Sequence, residues 1–270
     1  MSKIEEALEK ANQMRGPKRE AVKVRELDMP KRVDPAEVNN PYIVTVTQAD
    51  SLIAEEYRRL KSLLIRETKA DFLNSIMVTS SVEGEGKTLT SINLAITLAQ
   101  EIDHSILLVD ADLRKPMIHN YLGITCKYGL SDYLSGDVPI SDLLVKTGIG
   151  NLVLLPAGST VNNPVELLAS EKMLSLIKEL KQRYMDRYVI IDTPPILAYA
   201  EAIAIGSAVD GVIFVVKERG PQKKLVENAL SQIKKLNILG IVLNHSDKTN
   251  LNEQYSYYNR YEKHKKGELK

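Results

Sequence analysis

The sequence predicts an α/β fold: a doubly wound, mostly parallel sheet flanked by helices on both faces. Six short, uninterrupted apolar runs recur between residues 76 and 243, as strands covered on both faces require. Segments of helical period separate them and supply right-handed crossovers. The first run also feeds directly into a glycine-containing loop and then a helix, the unit from which such sheets are wound.

The strand runs are Ile76-Met77-Val78, Ile106-Leu107-Leu108-Val109, Leu152-Val153-Leu154-Leu155, Tyr188-Val189-Ile190-Ile191, Val212-Ile213-Phe214-Val215-Val216 and Leu239-Gly240-Ile241-Val242-Leu243. Crossover helices are expected at Leu89 to Ala99 and at Leu225 to Leu236. Ahead of the sheet, residues 50–67 form a helix capped by Asp50. Leu52, Ile53, Leu60, Leu63 and Leu64 are its apolar stripe, and Glu55, Glu56, Arg58, Arg59 and Lys61 its charged one. Near the start, Ile4, Ala7, Leu8, Ala11 and Met14 fall at helical spacing behind a Ser2/Glu5 capping box. Gly16 to about Pro41 is charged, interrupted by Pro17, Pro30, Pro35 and Pro41, and reads as a solvated linker. Leu251 to Lys270 is polar and lysine-rich, a mobile tail. The expected organisation is therefore an N-terminal helix and linker (1–41), one domain (42–250) and a tail (251–270).

A chain of 270 residues, 44% of them hydrophobic, can bury a substantial core. Its 36 Lys and Arg against 35 Asp and Glu leave a formal charge of +1, which gives no global footprint for nucleic acid. Cys126, the single cysteine, has no partner for an internal disulfide, and MSKIEEALEK lacks the apolar core of a signal peptide. A cytoplasmic location is expected. No apolar run approaches the roughly 18 residues that span a bilayer, so membrane association has to come through a partner or a surface patch. His104, His119, His245 and His264 show no metal-ligand spacing.

The chemistry sits at the strand ends. After Ile76-Met77-Val78 comes Thr79-Ser80-Ser81-Val82-Glu83-Gly84-Glu85-Gly86-Lys87-Thr88, then a helix. That context suits a phosphate loop: small residues let backbone N–H groups close on oxygen, Lys87 reaches the β/γ-phosphates, Thr88 offers a hydroxyl to Mg²⁺, and a helix N-terminus faces the anion. Ser81 stands where the consensus has its first glycine, so Gly84 has to supply the turn. Glu83, Gly84, Glu85, Gly86, Lys87, Thr88 and Leu89 are the candidate nucleotide contacts. The second run ends in Asp110-Ala111-Asp112-Leu113-Arg114 and the fourth in Asp192-Thr193-Pro194-Pro195. Carboxylates at the C-terminal edge of a parallel sheet project towards the ligand crevice, where Asp110, Asp112 and Asp192 with Thr88 can hold Mg²⁺ and orient or deprotonate a hydroxyl nucleophile. Asn244, at the end of the last run, is placed to meet an adenine edge.

The order of phosphate loop, Asp-x-Asp-x-Arg and Asp-Thr-Pro-Pro resembles the bacterial tyrosine autokinases of capsule and exopolysaccharide synthesis, relatives of the MinD and ParA ATPases. Further matches are Gly129-Leu130-Ser131-Asp132-Tyr133-Leu134-Ser135-Gly136 and Pro156-Ala157-Gly158 followed by Asn163-Pro164-Val165-Glu166-Leu167-Leu168. The resemblance implies ATP- and Mg²⁺-dependent phosphorylation of tyrosine, with Lys87, Asp110, Asp112, Arg114 and Asp192 as the catalytic set. It implies autophosphorylation in trans on a C-terminal tyrosine cluster, to which Tyr255, Tyr257, Tyr258 and Tyr261 correspond; a tail that docks by its aromatics is the alternative. It implies ring-like homo-oligomers built through Glu-x-x-Arg-x-x-Arg, matched here by Glu55, Arg58 and Lys61, with Lys61 keeping charge but losing the bidentate fork. A plain solvated helix face is the other reading of that stretch.

The implied partner is a separate membrane polysaccharide co-polymerase that activates the kinase, placing it at the inner face of the membrane; a tyrosine phosphatase would reverse the modification. Between Arg15 and Arg32, seven Lys or Arg face three Asp or Glu, a local charge of +4 that suits a partner, an anionic surface or a solvated tether. The competing function is an ATPase switch of the MinD/ParA type without kinase activity. No lysine precedes Gly86 in the loop, where that class carries a second one.

Overall fold

The computed structural model describes residues 38–101, 105–136, 138–182 and 187–246. The helix expected at 2–15, nearly all of the linker and the tail at 251–270 lie outside the described residues.

Seven strands form one sheet in the order β3-β4-β2-β5-β1-β6-β7. They are β1 (Ser75–Ser80), β2 (Ser105–Asp110), β3 (Val145–Lys146), β4 (Leu152–Leu155), β5 (Arg187–Asp192), β6 (Gly211–Lys217) and β7 (Ile238–Asn244). All six apolar runs are strands, and their pairings are parallel. The two-residue β3 is the addition, pairing antiparallel with β4 at one edge; a half-buried Val-Lys pair carries no strand signal of its own. The nine described α-helices are α1 (Val44–Thr47), α2 (Leu52–Thr68), α3 (Lys87–Ala99), α4 (Ile118–Tyr121), α5 (Leu130–Ser135), α6 (Pro164–Leu168), α7 (Glu171–Gln182), α8 (Glu201–Gly206) and α9 (Lys223–Gln232).

Side chains alternate across a strand, so each apolar run feeds two cores. Ile76, Val78, Ile106, Leu108 and Ile190 pack with Ile92, Ala95 and Ile96 of α3 and Leu64 of α2. Met77, Leu107, Val109, Val189 and Ile191 pack with Met173, Leu176, Ile177 and Leu180 of α7 and Ala202 and Ile205 of α8. Both faces are covered, which is why every residue of β1 is buried. Val38, 5% exposed, belongs to the first of these cores.

Two expectations for α2 are corrected. Its N-cap is Ser51, whose Oγ accepts a hydrogen bond from Ala54 N at 3.2 Å, not Asp50. Its buried residues are Ala54, Leu64 and Thr68, whereas Leu52, Ile53 and Leu63 stay 37 to 42% exposed. Ile53 and Leu63, with Tyr42, Leu89, Ile241 and Leu243, instead line a cleft of ≈ 490 Å³ between α2 and the edge strand β7.

At the N-terminal end of the sheet a polar pin holds three elements together. Asp210 Oδ2 accepts from Asn74 N (3.1 Å), Ser75 N (3.0 Å) and Ser75 Oγ (2.8 Å), and Oδ1 accepts from Lys181 Nζ. At the opposite end, register sets the site. Asp110 pairs in level with Asp192, and Asp192 with Val78, so the C-terminal ends of β2, β5 and β1 lie side by side.

Candidate nucleotide and phosphoryl-transfer site

The loop after β1 takes its shape from two glycines and one carboxylate. Gly84 and Gly86 have φ of +79° and +91°, a region that side chains rarely adopt. A Cβ on Gly84 would meet open space, whereas one on Gly86 would fall 1.9 Å from Asn244 Nδ2. Gly86 is also the N-cap of α3, so the turn delivers Lys87 and Thr88 as the first residues of that helix.

Glu85 is turned inward, 1% exposed. Its Oε2 accepts from Ser81 Oγ at 2.6 Å and from Val82 N at 2.8 Å, and its Oε1 from Lys217 N at 3.2 Å. The serine at the first-glycine position is therefore a donor that closes the loop on itself. Asn244 joins the same brace: Nδ2 donates to Glu85 O at 2.9 Å, and Oδ1 accepts from His245 N. The second amide hydrogen of Asn244 takes no part in this brace. Leu89, a candidate nucleotide contact, is partly buried and packs on the α3-side core.

Lys87 Nζ donates to Asp112 Oδ2 at 2.8 Å, lies 3.1 Å from Thr88 Oγ1 and 3.9 Å from Asp192 Oδ2, with only 13% of its side chain exposed. Burial pulls its pKa down, but the charges of Asp192 and Asp112 outweigh that and hold it above the usual lysine value. Thr88 Oγ1 donates to Asp192 Oδ2 at 2.7 Å and Ser91 Oγ to Asp192 Oδ1 at 3.1 Å. Burial raises the pKa of Asp192 despite these donors. Asp110, also fully buried, accepts from Asp112 N and Ile118 N, and burial together with the charge of Asp192 pushes its carboxyl well above the usual range. Two neighbouring carboxylates resisting joint ionisation are what an incoming cation relieves. Among the described residues there is no cluster of three or more His, Cys, Asp or Glu side chains able to hold a metal by themselves. Thr88 Oγ1 and Asp192 offer oxygens of the kind Mg²⁺ takes, one or two from protein with phosphate and water completing its shell.

Arg114 is held sideways: its Nε donates to Glu201 Oε1 at 2.7 Å, and its guanidinium carbon sits 4.4 Å from the ring centre of Tyr199. Glu83, at the exposed tip of the loop, accepts from Lys115 Nζ, and Tyr199 OH lies 3.4 Å from its Oε1. Sequence reading overlooked Ser91, Lys115, Tyr199 and Glu201. Only Ser91 had a signal, standing four residues after Lys87 on the same helical face.

The residues expected to mediate oligomerisation do not gather at this site. Arg58 Nε donates to Glu55 Oε2 (2.6 Å) and its Nη1 to Ala49 O (3.0 Å), and Lys61 pairs with Glu101 at 2.6 Å. Lys61 thus spends its charge within its own chain. Tyr255, Tyr257, Tyr258 and Tyr261 lie outside the described residues.

A parallel sheet with a phosphate loop after its central strand and carboxylates on two neighbouring strand ends defines a P-loop nucleotide-binding protein. A family model described as an AAA domain matches residues 74–239. The chain is 33% identical over 218 residues to "Tyrosine-protein kinase YwqD" of Bacillus subtilis, covering 80% of this chain and 90% of that protein. It is 32% identical to "Putative tyrosine-protein kinase CapB" of Staphylococcus aureus over 78% of this chain and 91% of the relative. Among solved structures, the kinase domain of Escherichia coli tyrosine kinase ETK superposes with a TM-score of 0.70 at 28% identity, covering 76% of this chain and 82% of that one. MinD of Pyrococcus horikoshii, complexed with Mg-ADP, gives 0.55 at 28%, covering 65% and 71%. The chain belongs to the bacterial tyrosine-protein kinases.

Proposed function

We propose that the chain phosphorylates tyrosines in the C-terminal segment of neighbouring copies within a homo-oligomer, and thereby regulates exopolysaccharide or capsule polymerisation or export. The observation that carries this reading is the convergence of Lys87, Thr88, Asp110, Asp112 and Asp192 at three adjacent strand ends. Thr88 and Asp192 would hold Mg²⁺, with Asp110 and Asp112 beside it. An ion held there would supply charge neutralisation for the nucleotide's phosphates. Lys87, now on Asp112, would move to the phosphates. An aspartate of the set takes the phenolic proton.

Glu55, Arg58 and Lys61 on α2 are the proposed oligomer contacts. A separate membrane co-polymerase would bring the kinase to the inner membrane face and activate it; no described helix is long and apolar enough to cross a membrane. A phosphatase would reset the tail.

The test mixes two chains in MgATP. One carries Lys87→Met with an intact tail; the other is active but has Tyr255, Tyr257, Tyr258 and Tyr261 changed to Phe. Phosphotyrosine on the Lys87→Met tail is expected. ATP hydrolysis without tail phosphotyrosine, in the mixture and in the parent, would overturn the reading in favour of the ATPase switch to which the MinD likeness points.

A further inference from the structure

The surroundings of Arg114 carry more than its presence in the motif. Glu201 is 0% exposed and meets Arg114 with one oxygen only, while its second oxygen, Oε2, is buried with no hydrogen-bond partner. A buried carboxylate half satisfied in this way is costly to folding. Its hydrogen bond falls on Nε of Arg114 and not on the Nη fork. Tyr199 lies against the guanidinium face at 4.4 Å, and its phenol reaches Glu83 in the phosphate loop. The arginine is thus fixed in plane and in direction by two residues that do not belong to the loop or the aspartates. It leaves the backbone two residues after Asp112, the carboxylate that receives Lys87.

We propose that Glu201 and Tyr199 are positioning residues that hold Arg114 with its Nη fork free for the phosphoryl group in flight. This rests on the kinase reading above. In the step, the bond from the γ-phosphorus to the oxygen of ADP breaks as a bond to the tyrosine oxygen forms, and the phenolic proton passes to an aspartate of the site. Charge spreads over the equatorial oxygens. A fork held in one orientation beside those oxygens would stabilise that charge without reorganising, and Glu201 keeps the fork from swinging to solvent.

The experiment measures kcat, KM for ATP and ADP affinity for tyrosine phosphorylation by the full chain. Variants are Arg114→Ala, Glu201→Gln, Glu201→Ala, Tyr199→Phe, Tyr199→Leu and the double Arg114→Ala/Glu201→Ala. Arg114→Ala should lower kcat on the order of 100-fold. Glu201→Ala should lower kcat at least about tenfold with KM and ADP affinity within about twofold, and Glu201→Gln should recover most of that loss. Tyr199→Phe keeps the stacked face and should stay near parent; Tyr199→Leu, at a half-exposed position that folding tolerates, should lose about fivefold in kcat. The double variant should be no slower than Arg114→Ala alone, because the three act as one unit.

Multiplying losses in the double variant, or ADP affinity falling as far as kcat, would overturn the positioning role and leave Glu201 a structural prop. An Arg114→Ala enzyme with full kcat would instead remove Arg114 from the reaction. A chain that forms no phosphotyrosine at all separates failure of the kinase reading from failure of this one.

Discussion

Lys87 donates to Asp112 across 2.8 Å while Asp192 stands 3.9 Å away. The lysine therefore already serves as the counter-charge of a buried acidic site. Lys87→Met should abolish tyrosine phosphorylation, by about 1,000-fold, and should also lower the free energy of unfolding by about 3 kcal/mol, because the carboxylates lose their partner. Denaturant titration of the variant without nucleotide checks the second effect separately from the first.

The two glycines of the phosphate loop should respond differently to alanine. At Gly84 there is room for the methyl group, so the cost is backbone strain alone, about 1 kcal/mol. At Gly86 the methyl group collides with Asn244, which holds Glu85 O. Calorimetric titration with ADP should show Gly86→Ala weakened by at least about tenfold more than Gly84→Ala.

Ser81→Gly, which restores the consensus residue, should destabilise the protein. It removes the donor that Glu85 Oε2 receives at 2.6 Å and adds freedom to the unfolded chain. A loss of about 1 kcal/mol, read as a lower melting temperature, is expected, and Ser81→Thr should recover part of it.

The pin at Asp210 predicts a pH dependence remote from the active site. Burial would raise its carboxyl pKa, but Lys181 and the Ser75 donors prevail and hold it below 3.8. The folded state therefore releases this proton at lower pH than the unfolded state, so the stabilisation is complete above the unfolded value and is lost as pH falls through the folded one. The parent should exceed Asp210→Asn by about 2 kcal/mol above pH 5, and the gap should close as pH falls below the ordinary carboxylate range. Unfolding midpoints measured across that range test it.

Much of this molecule was legible in its sequence, because buried parallel strands announce themselves as unbroken apolar runs and the acids follow them directly. Asp110 and Asp192 could be placed at one sheet edge before any coordinates, since parallel strands bring their C-terminal ends to one side. What escaped were contacts between elements distant in sequence. Glu201 meets Arg114 across 87 positions, and no local pattern marks an acid at the start of a six-residue helix as the partner of a motif arginine. The inward brace of Glu85 escaped for a related reason: nothing local marks its side chain as folding back to Lys217 and Ser81. The cap at Ser51 was missed because Asp50 is an equally good capping type one position earlier.

The inward turn of Glu85 has a thermodynamic corollary. A loop whose side chain, backbone and neighbouring strands already grip one another has few conformations to surrender when an anion arrives. Little of the interaction energy is then lost to ordering, and a calorimetric trace for ADP should carry only a small entropic penalty. Cutting the Glu85 contacts would show up there first: Glu85→Ala should bind with a larger unfavourable entropy even where the enthalpy of the phosphate contacts is retained.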